Sequence, residues 1–152
     1  MAQGDPRLEL GNQLCFGLYS ASRAAIRAYG PVLAELGLTY PQYLTMLVLW
    51  ESGKPVSVGD IGTRLHLDSG TLTPLLKRLE DVGLLNRTRD AGDERRVLIS
   101  LTERGVEMQA QAMDIPARVF RHYSIDVTTA RDLIRQLTKI TESLGTTDAS
   151  TR

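Results

Sequence analysis

The sequence predicts a mainly α fold with a small β-hairpin wing, a winged helix-turn-helix unit flanked by helical arms at both chain ends. Three observations carry this reading. Apolar residues recur at helical spacing over long stretches near each end. Two helical segments in the middle are joined by only His66-Leu67-Asp68, short enough to force a steep crossing. The second of them is followed directly by two strand-like segments around a charged turn. A chain of 152 residues has room for one domain of ordinary size. The expected organisation is dimerisation helices at 8–36 and 102–144, a winged helix-turn-helix at 41–101, and a disordered tail at 145–152.

Taken in order, Leu10, Leu14, Leu18, Ala21, Ala25 and Ala28 define an amphipathic helix from Leu8 to Ala28, which Gly30-Pro31 is expected to break. Pro41 suits the first position of the next helix, which runs to about Glu51 and is apolar enough to occupy the centre of the core. Ser57-Val58-Gly59-Asp60 reads as a cap followed by a short helix through Leu65, with Val58, Ile61 and Leu65 on its buried face. Asp68 caps a helix from Ser69 to about Val82, which Gly83 stops. Leu84 to Arg89 and Arg96 to Leu101 form the two strands of the hairpin, with Asp90 to Arg95 as its polar tip. Thr102 caps a helix that Pro116 should kink, and Asp126 opens the last one, with Leu133, Ile134, Leu137, Ile140 and Leu144 on one side. The apolar stripe on each arm needs a partner, and a second copy of the chain is the simplest.

Composition closes off several functions. The longest apolar run, Met46 to Trp50, is five residues, too short to span a membrane. The first residues lack the pattern of a secretory signal, so a cytoplasmic protein is expected. One cysteine and two distant histidines, His66 and His122, give no metal-ligand spacing, and no cofactor is implied. No phosphate-binding glycine loop or nucleophile elbow is present. The 18 basic and 18 acidic residues cancel, so any nucleic-acid site has to be a local arrangement of cations. Residues 60 to 96 alone contain seven of each sign.

Such an arrangement can be read off the helix that starts at Ser69. Leu72, Leu75, Leu76 and Leu79 converge on its buried side, leaving Gly70, Thr71, Thr73, Pro74, Lys77 and Arg78 outward. Small residues at the centre of that face let a neighbouring surface approach the backbone. Hydroxyls beside them suit base edges, and the two cations suit phosphate or guanine in a major groove. Pro74 admits two arrangements: it lies inside a helix capped by Asp68, or it starts a helix capped by Thr73. The wing adds Arg87, Arg89, Arg95 and Arg96. Asp93 is two residues before Arg95 and can orient its guanidinium by a bidentate pair, toward a narrow minor groove. The bland reading of the same residues is a solvated charged turn.

Cys15 and Tyr19 are four apart and share a helix face. A lone cysteine reads either as a small buried filler or as a nucleophile, because a phenol hydroxyl that hydrogen-bonds a thiolate favours the ionised form. Four of the five tyrosines, Tyr19, Tyr29, Tyr40 and Tyr43, lie in this first third of the chain, where core packing is their alternative role.

Gln13-Leu14-Cys15-Phe16 with Tyr19, Tyr29 and Leu38-Thr39-Tyr40-Pro41-Gln42-Tyr43-Leu44 resembles the organic-hydroperoxide resistance regulators, the OhrR branch of the MarR repressors. Leu67 to Arg78, which includes Asp68 and Ser69, resembles that branch's recognition helix, and Asp93 to Thr102 its wing. The resemblance covers residues 8 to 145. It implies a homodimeric repressor on an inverted-repeat operator in double-stranded DNA, with Cys15 as the peroxidatic sensor. It also implies that Tyr29 and Tyr40 of the opposite subunit steady the thiolate, with Tyr19 a further pocket residue. An organic hydroperoxide would oxidise Cys15 to sulfenic acid. Lacking a second cysteine, the chain is similar to the one-cysteine type, whose sulfenic acid goes on to a mixed disulfide with a low-molecular-weight thiol or to over-oxidation. Two other readings stand beside this one: a MarR-type repressor released by a small phenolic or lipophilic ligand at the dimer interface, and a thiol peroxidase. The absence of a resolving cysteine counts against the peroxidase.

Overall fold

A computed structural model describes residues 5–147. The chain divides into two compact units, 1–119 and 120–152. Two short 3-10 turns, Pro6–Leu8 and Leu10–Asn12, precede α1 (Leu14–Ala34). The first helix therefore starts six residues later than the apolar spacing suggests, because Asp5 and Gln13 tie up the entering backbone: Asp5 accepts from the Arg7 N–H, and the Gln13 amide donates to the Arg7 and Glu9 carbonyls. The expected break at Gly30-Pro31 is also absent. α1 continues through Pro31 to seat Leu33 in the core at 1% exposure.

α2 (Tyr40–Ser52) begins at Thr39, whose N–H donates to Gln42 Oε1 at 2.8 Å, and ends where Gly53 takes a left-handed φ of 61°. It runs through the middle of the first unit and buries Tyr43, Thr45, Met46, Val48, Leu49 and Trp50. Next comes β1 (Val56–Ser57), then α3 (Val58–Leu65), capped by Ser57 accepting from the Asp60 N–H. α4 (Ser69–Asp81) is capped by Asp68, and Pro74 lies inside it, which settles the two arrangements in favour of the longer helix. β2 (Leu85–Arg89) and β3 (Val97–Leu101) follow. The sheet has three strands in the order β1-β3-β2, all antiparallel, rather than the two of a bare hairpin. Val56 pairs with Ile99 on one side of β3, and Arg87 pairs with the same Ile99 on the other. Ile99 is fully buried.

α5 (Glu103–Ala112), capped by Thr102, and α6 (Ile115–Phe120) are separate helices, where one kinked helix was expected. Pro116 falls in the first turn of α6, where its missing N–H has no intrahelical partner to lose. Met108, Ala112, Ile115 and Val119 are buried, so 102–119 pack with the first unit rather than standing outside it as an arm. Two contacts lock α5 down. The Trp50 indole donates to the Gly105 carbonyl at 2.8 Å. A Cβ on Gly105 would lie 2.1 Å from the Leu84 carbonyl oxygen, which only glycine allows. Across the unit, Arg118 of α6 grips Glu35 at the end of α1 with both terminal nitrogens, the shorter bond 2.5 Å, and this holds the Glu35 carboxyl below its usual range.

The second unit contains α7 (Val127–Thr147), opened by Asp126 accepting from the Thr129 N–H. It includes Gly145–Thr147, which correct the expected tail; residues 148–152 lie outside the described part. None of its described residues is buried, and Ile134 and Leu144 are 62% and 65% exposed. Among the described residues, no helix is long and apolar enough to cross a membrane.

Candidate functional site

α3 and α4 are joined by His66-Leu67-Asp68, with His66 in the left-handed region at φ 53°. The crossing is tight: a Cβ on Gly62 would come within 2.8 Å of the Leu67 carbonyl oxygen. Leu72, Leu76 and Leu79 anchor α4 in the core, and Leu75 is partly buried beside them. Asp68, Ser69, Gly70, Thr71, Thr73, Pro74, Lys77 and Arg78 are all exposed. Asp68 accepts from both the Thr71 N–H at 2.8 Å and the Thr71 hydroxyl at 3.0 Å, and these two bonds lower its carboxyl below the usual range. The cap therefore fixes the rotamer of Thr71 and rigidifies the first turn of the exposed face.

Three of the four wing arginines, Arg87, Arg95 and Arg96, are each placed by a carboxylate. Arg87 donates its backbone N–H and its Nε to Glu80 at 3.2 and 2.9 Å, which ties β2 to the last turn of α4. Asp93 accepts from the Arg95 backbone N–H at 3.1 Å, from its Nε at 3.1 Å and from a terminal nitrogen at 3.5 Å, and its carboxyl is lowered by those bonds. Arg96 reaches Asp60 of α3 at 3.5 Å and Asp90 at 4.0 Å. Lys77, Arg78 and Arg89 have no carboxylate partner among the described residues. Thr73 of α4, Arg87, Arg95 and Arg96 of the wing, and Ser57 and Gly59 at the start of α3 line one open groove of about 410 Å³. The roles of Glu80 and Asp60 were not legible in the sequence. The only signal was the equal count of acids among the cations of residues 60 to 96.

The sulfur is on α1. Cys15 is exposed and sits in the first turn of α1 instead of mid-helix. No side chain caps that helix start. Tyr19 is 57% exposed; its hydroxyl accepts from Arg23 at 2.8 Å, and the guanidinium lies 5.4 Å from its ring centre. Tyr29 and Tyr40 are half-buried and packed together, ring centres 4.9 Å apart, with Tyr43 5.8 Å beyond Tyr29. Tyr43 itself is buried, and burial raises its phenol above the ordinary value. Cys15 and Tyr29 lie on one uninterrupted helix, fourteen residues apart. At 1.5 Å per residue that is about 21 Å, farther than the two side chains can bridge. A single chain brings Tyr29 and Tyr40 together but leaves Cys15 outside their reach.

A tight helix-turn-helix, an exposed small-residue face and a sheet-backed cationic wing define the class: a winged-helix DNA-binding regulator. Residues 27–112 match the family model of the transcriptional regulator SarA/Rot. The chain is 52% identical over 112 residues to an organic hydroperoxide resistance transcriptional regulator of Bacillus subtilis, covering 74% of this chain and 76% of that protein. It is 46% identical over 147 residues to the regulator TtmR of Methylorubrum extorquens, covering 97% and 74%. Among solved structures, reduced AbfR bound to DNA superposes with a TM-score of 0.75 at 36% identity, over 89% of this chain and 94% of that one. Overoxidised AbfR bound to DNA gives 0.69 at 37% identity, over 86% and 93%. The chain belongs to the MarR-type winged-helix transcriptional regulators, in the organic hydroperoxide resistance branch.

Proposed function

We propose that the protein is a redox-sensing transcriptional repressor that binds an inverted-repeat operator as a homodimer and releases it when an organic hydroperoxide oxidises Cys15. The observation that carries this reading is the distance along α1. If Tyr29 and Tyr40 serve the thiolate, they come from a second copy, so such a sensor exists only in a dimer. The apolar residues left outside support such an assembly: of α1 only Leu33 is buried, and Leu14, Tyr19 and Ile26 stand exposed. Leu133, Ile134 and Leu144 of α7 do the same. We place 8–36 and 102–144 at or beside the two-fold interface and 41–101 on the DNA.

In each half-site α4 enters the major groove with Ser69, Gly70, Thr71, Thr73 and Pro74 toward base edges, while Lys77 and Arg78 reach phosphate or guanine. Asp68 holds the first turn and Asp93 aims Arg95 at the minor groove, with Arg87 and Arg96 on the backbone. The chemistry at sulfur is stoichiometric. The Cys15 thiolate takes the terminal oxygen of the hydroperoxide; the S–O bond forms, the O–O bond breaks, and the alkoxide leaves as alcohol after taking a proton. A low-molecular-weight thiol then displaces water from the sulfenic acid to give a mixed disulfide. AbfR has been captured on DNA both reduced and overoxidised, so we assign release to the bulkier disulfide adduct rather than to added oxygen alone. The adduct displaces Tyr29 and Tyr40, the interface helices shift, and the reading heads lose their one-turn spacing.

Cys15→Ser should hold an inverted-repeat operator with affinity within about twofold of the native protein, and should no longer release it on treatment with cumene hydroperoxide and a small thiol. Release by the serine protein in a mobility-shift assay would overturn the sensor assignment.

A further inference from the structure

The groove between wing and recognition helix contains its own competitor. Three arginines face it, and they are held in two different ways. Arg87 and Arg95 engage Glu80 and Asp93 through Nε and backbone N–H groups. Arg87 thereby keeps both terminal nitrogens for another ligand, and Arg95 commits only one, at 3.5 Å. Arg96 is the reverse case. Its terminal nitrogens point at carboxylates, one at Asp60 Oδ2 (3.5 Å) and the other at Asp90 Oδ2 (4.0 Å). Asp60 is fixed in turn by the Ser57 hydroxyl, which donates to it at 2.6 Å, and Ser57 lines the groove. The terminal nitrogens are the ones that form a bidentate pair with a phosphate.

We propose that this groove seats a backbone phosphate of DNA and that Asp60 occupies the phosphate's place on Arg96 in the free protein, lowering the affinity of each reading head. The inference rests on the repressor reading. It accounts for a head with equal numbers of acids and bases between residues 60 and 96. A phosphate entering the groove exchanges a carboxylate for itself, so one head alone binds weakly and a pair of heads is needed. Glu80 and Asp93 are positioning residues; Asp60 sets the strength.

Backbone phosphates are independent of sequence, so the probe can be a 30-base-pair duplex of arbitrary sequence, followed by fluorescence anisotropy from 50 to 200 mM salt. Asp60→Asn keeps the contact with Ser57, and a thermal melt confirms its fold. It should bind about two- to fivefold more tightly, the range expected for release of one exposed ion pair. Glu107→Gln removes the same charge from an exposed position on α5 and should leave affinity unchanged. Arg96→Gln should weaken binding and reduce the salt slope by about one phosphate. In that background Asp60→Asn should confer no gain. If Asp60→Asn binds no more tightly than Glu107→Gln, or if its gain persists without Arg96, the competition is refuted while the repressor reading stands. If the native protein fails to bind the duplex even at 50 mM salt, both fall.

Discussion

Between Cys15 and Tyr29 lie fourteen residues of continuous helix, and that spacing decides how the sulfur can be governed. Cys15, at the start of α1, is out of reach of Tyr29 and Tyr40 of its own chain, which lie packed ring against ring. In the proposed repressor the sulfur of one copy meets the phenols of the other across a symmetry axis. A hydrogen bond to a charged group contributes about 1.5–3 kcal/mol. Replacing both Tyr29 and Tyr40 with Phe should therefore slow sulfenic acid formation at Cys15 by about tenfold or more, at 1.4 kcal/mol per decade. The readout is trapping of the sulfenic acid with a dimedone reagent after a pulse of hydroperoxide. An unchanged rate would remove the phenols from the mechanism. The Tyr19 hydroxyl accepts from Arg23.

At the scale of elements, α5 is held against the sheet by a contact that admits no side chain at Gly105. Gly105→Ala puts a methyl group against the Leu84 carbonyl oxygen and strains the Trp50 hydrogen bond to the same residue's carbonyl. It should cost about 3 kcal/mol, or about 10 °C in Tm for a chain of this size. Calorimetry showing a loss below 1 °C would mean that α5 can move away freely. α3, α4 and the wing were legible in the sequence because each is set by local chemistry: Ser57 and Asp68 as caps, leucines at helical spacing, and β-branched residues flanking a polar turn. What was misread depends on neighbours. β1 is two residues long and exists only because β3 pairs with it. The run through Gly30-Pro31 goes with the burial of Leu33 in the core beyond the proline. The late start of α1, which moves Cys15 from mid-helix to the first turn, comes from the hydrogen bonds of Gln13 to carbonyls four and six residues upstream. The residue list of the site was readable, but its pairings through Glu80 and Asp60 were not, because they join residues seven and thirty-six apart in sequence.

For the whole molecule, the proposed function requires one copy's sulfur to be answered by the other copy's phenols. The most direct measurement uses a hybrid dimer in which one subunit carries Cys15→Ser with its tyrosines intact, and the other keeps Cys15 but carries Tyr29→Phe and Tyr40→Phe. The first parent cannot be oxidised at position 15, and the second is oxidised slowly. In the hybrid, the remaining sulfur faces intact phenols only if they come from the other chain. The account predicts that the rate of sulfenic acid formation in the hybrid returns to that of the native protein. A hybrid as slow as its tyrosine-deficient parent would contradict it.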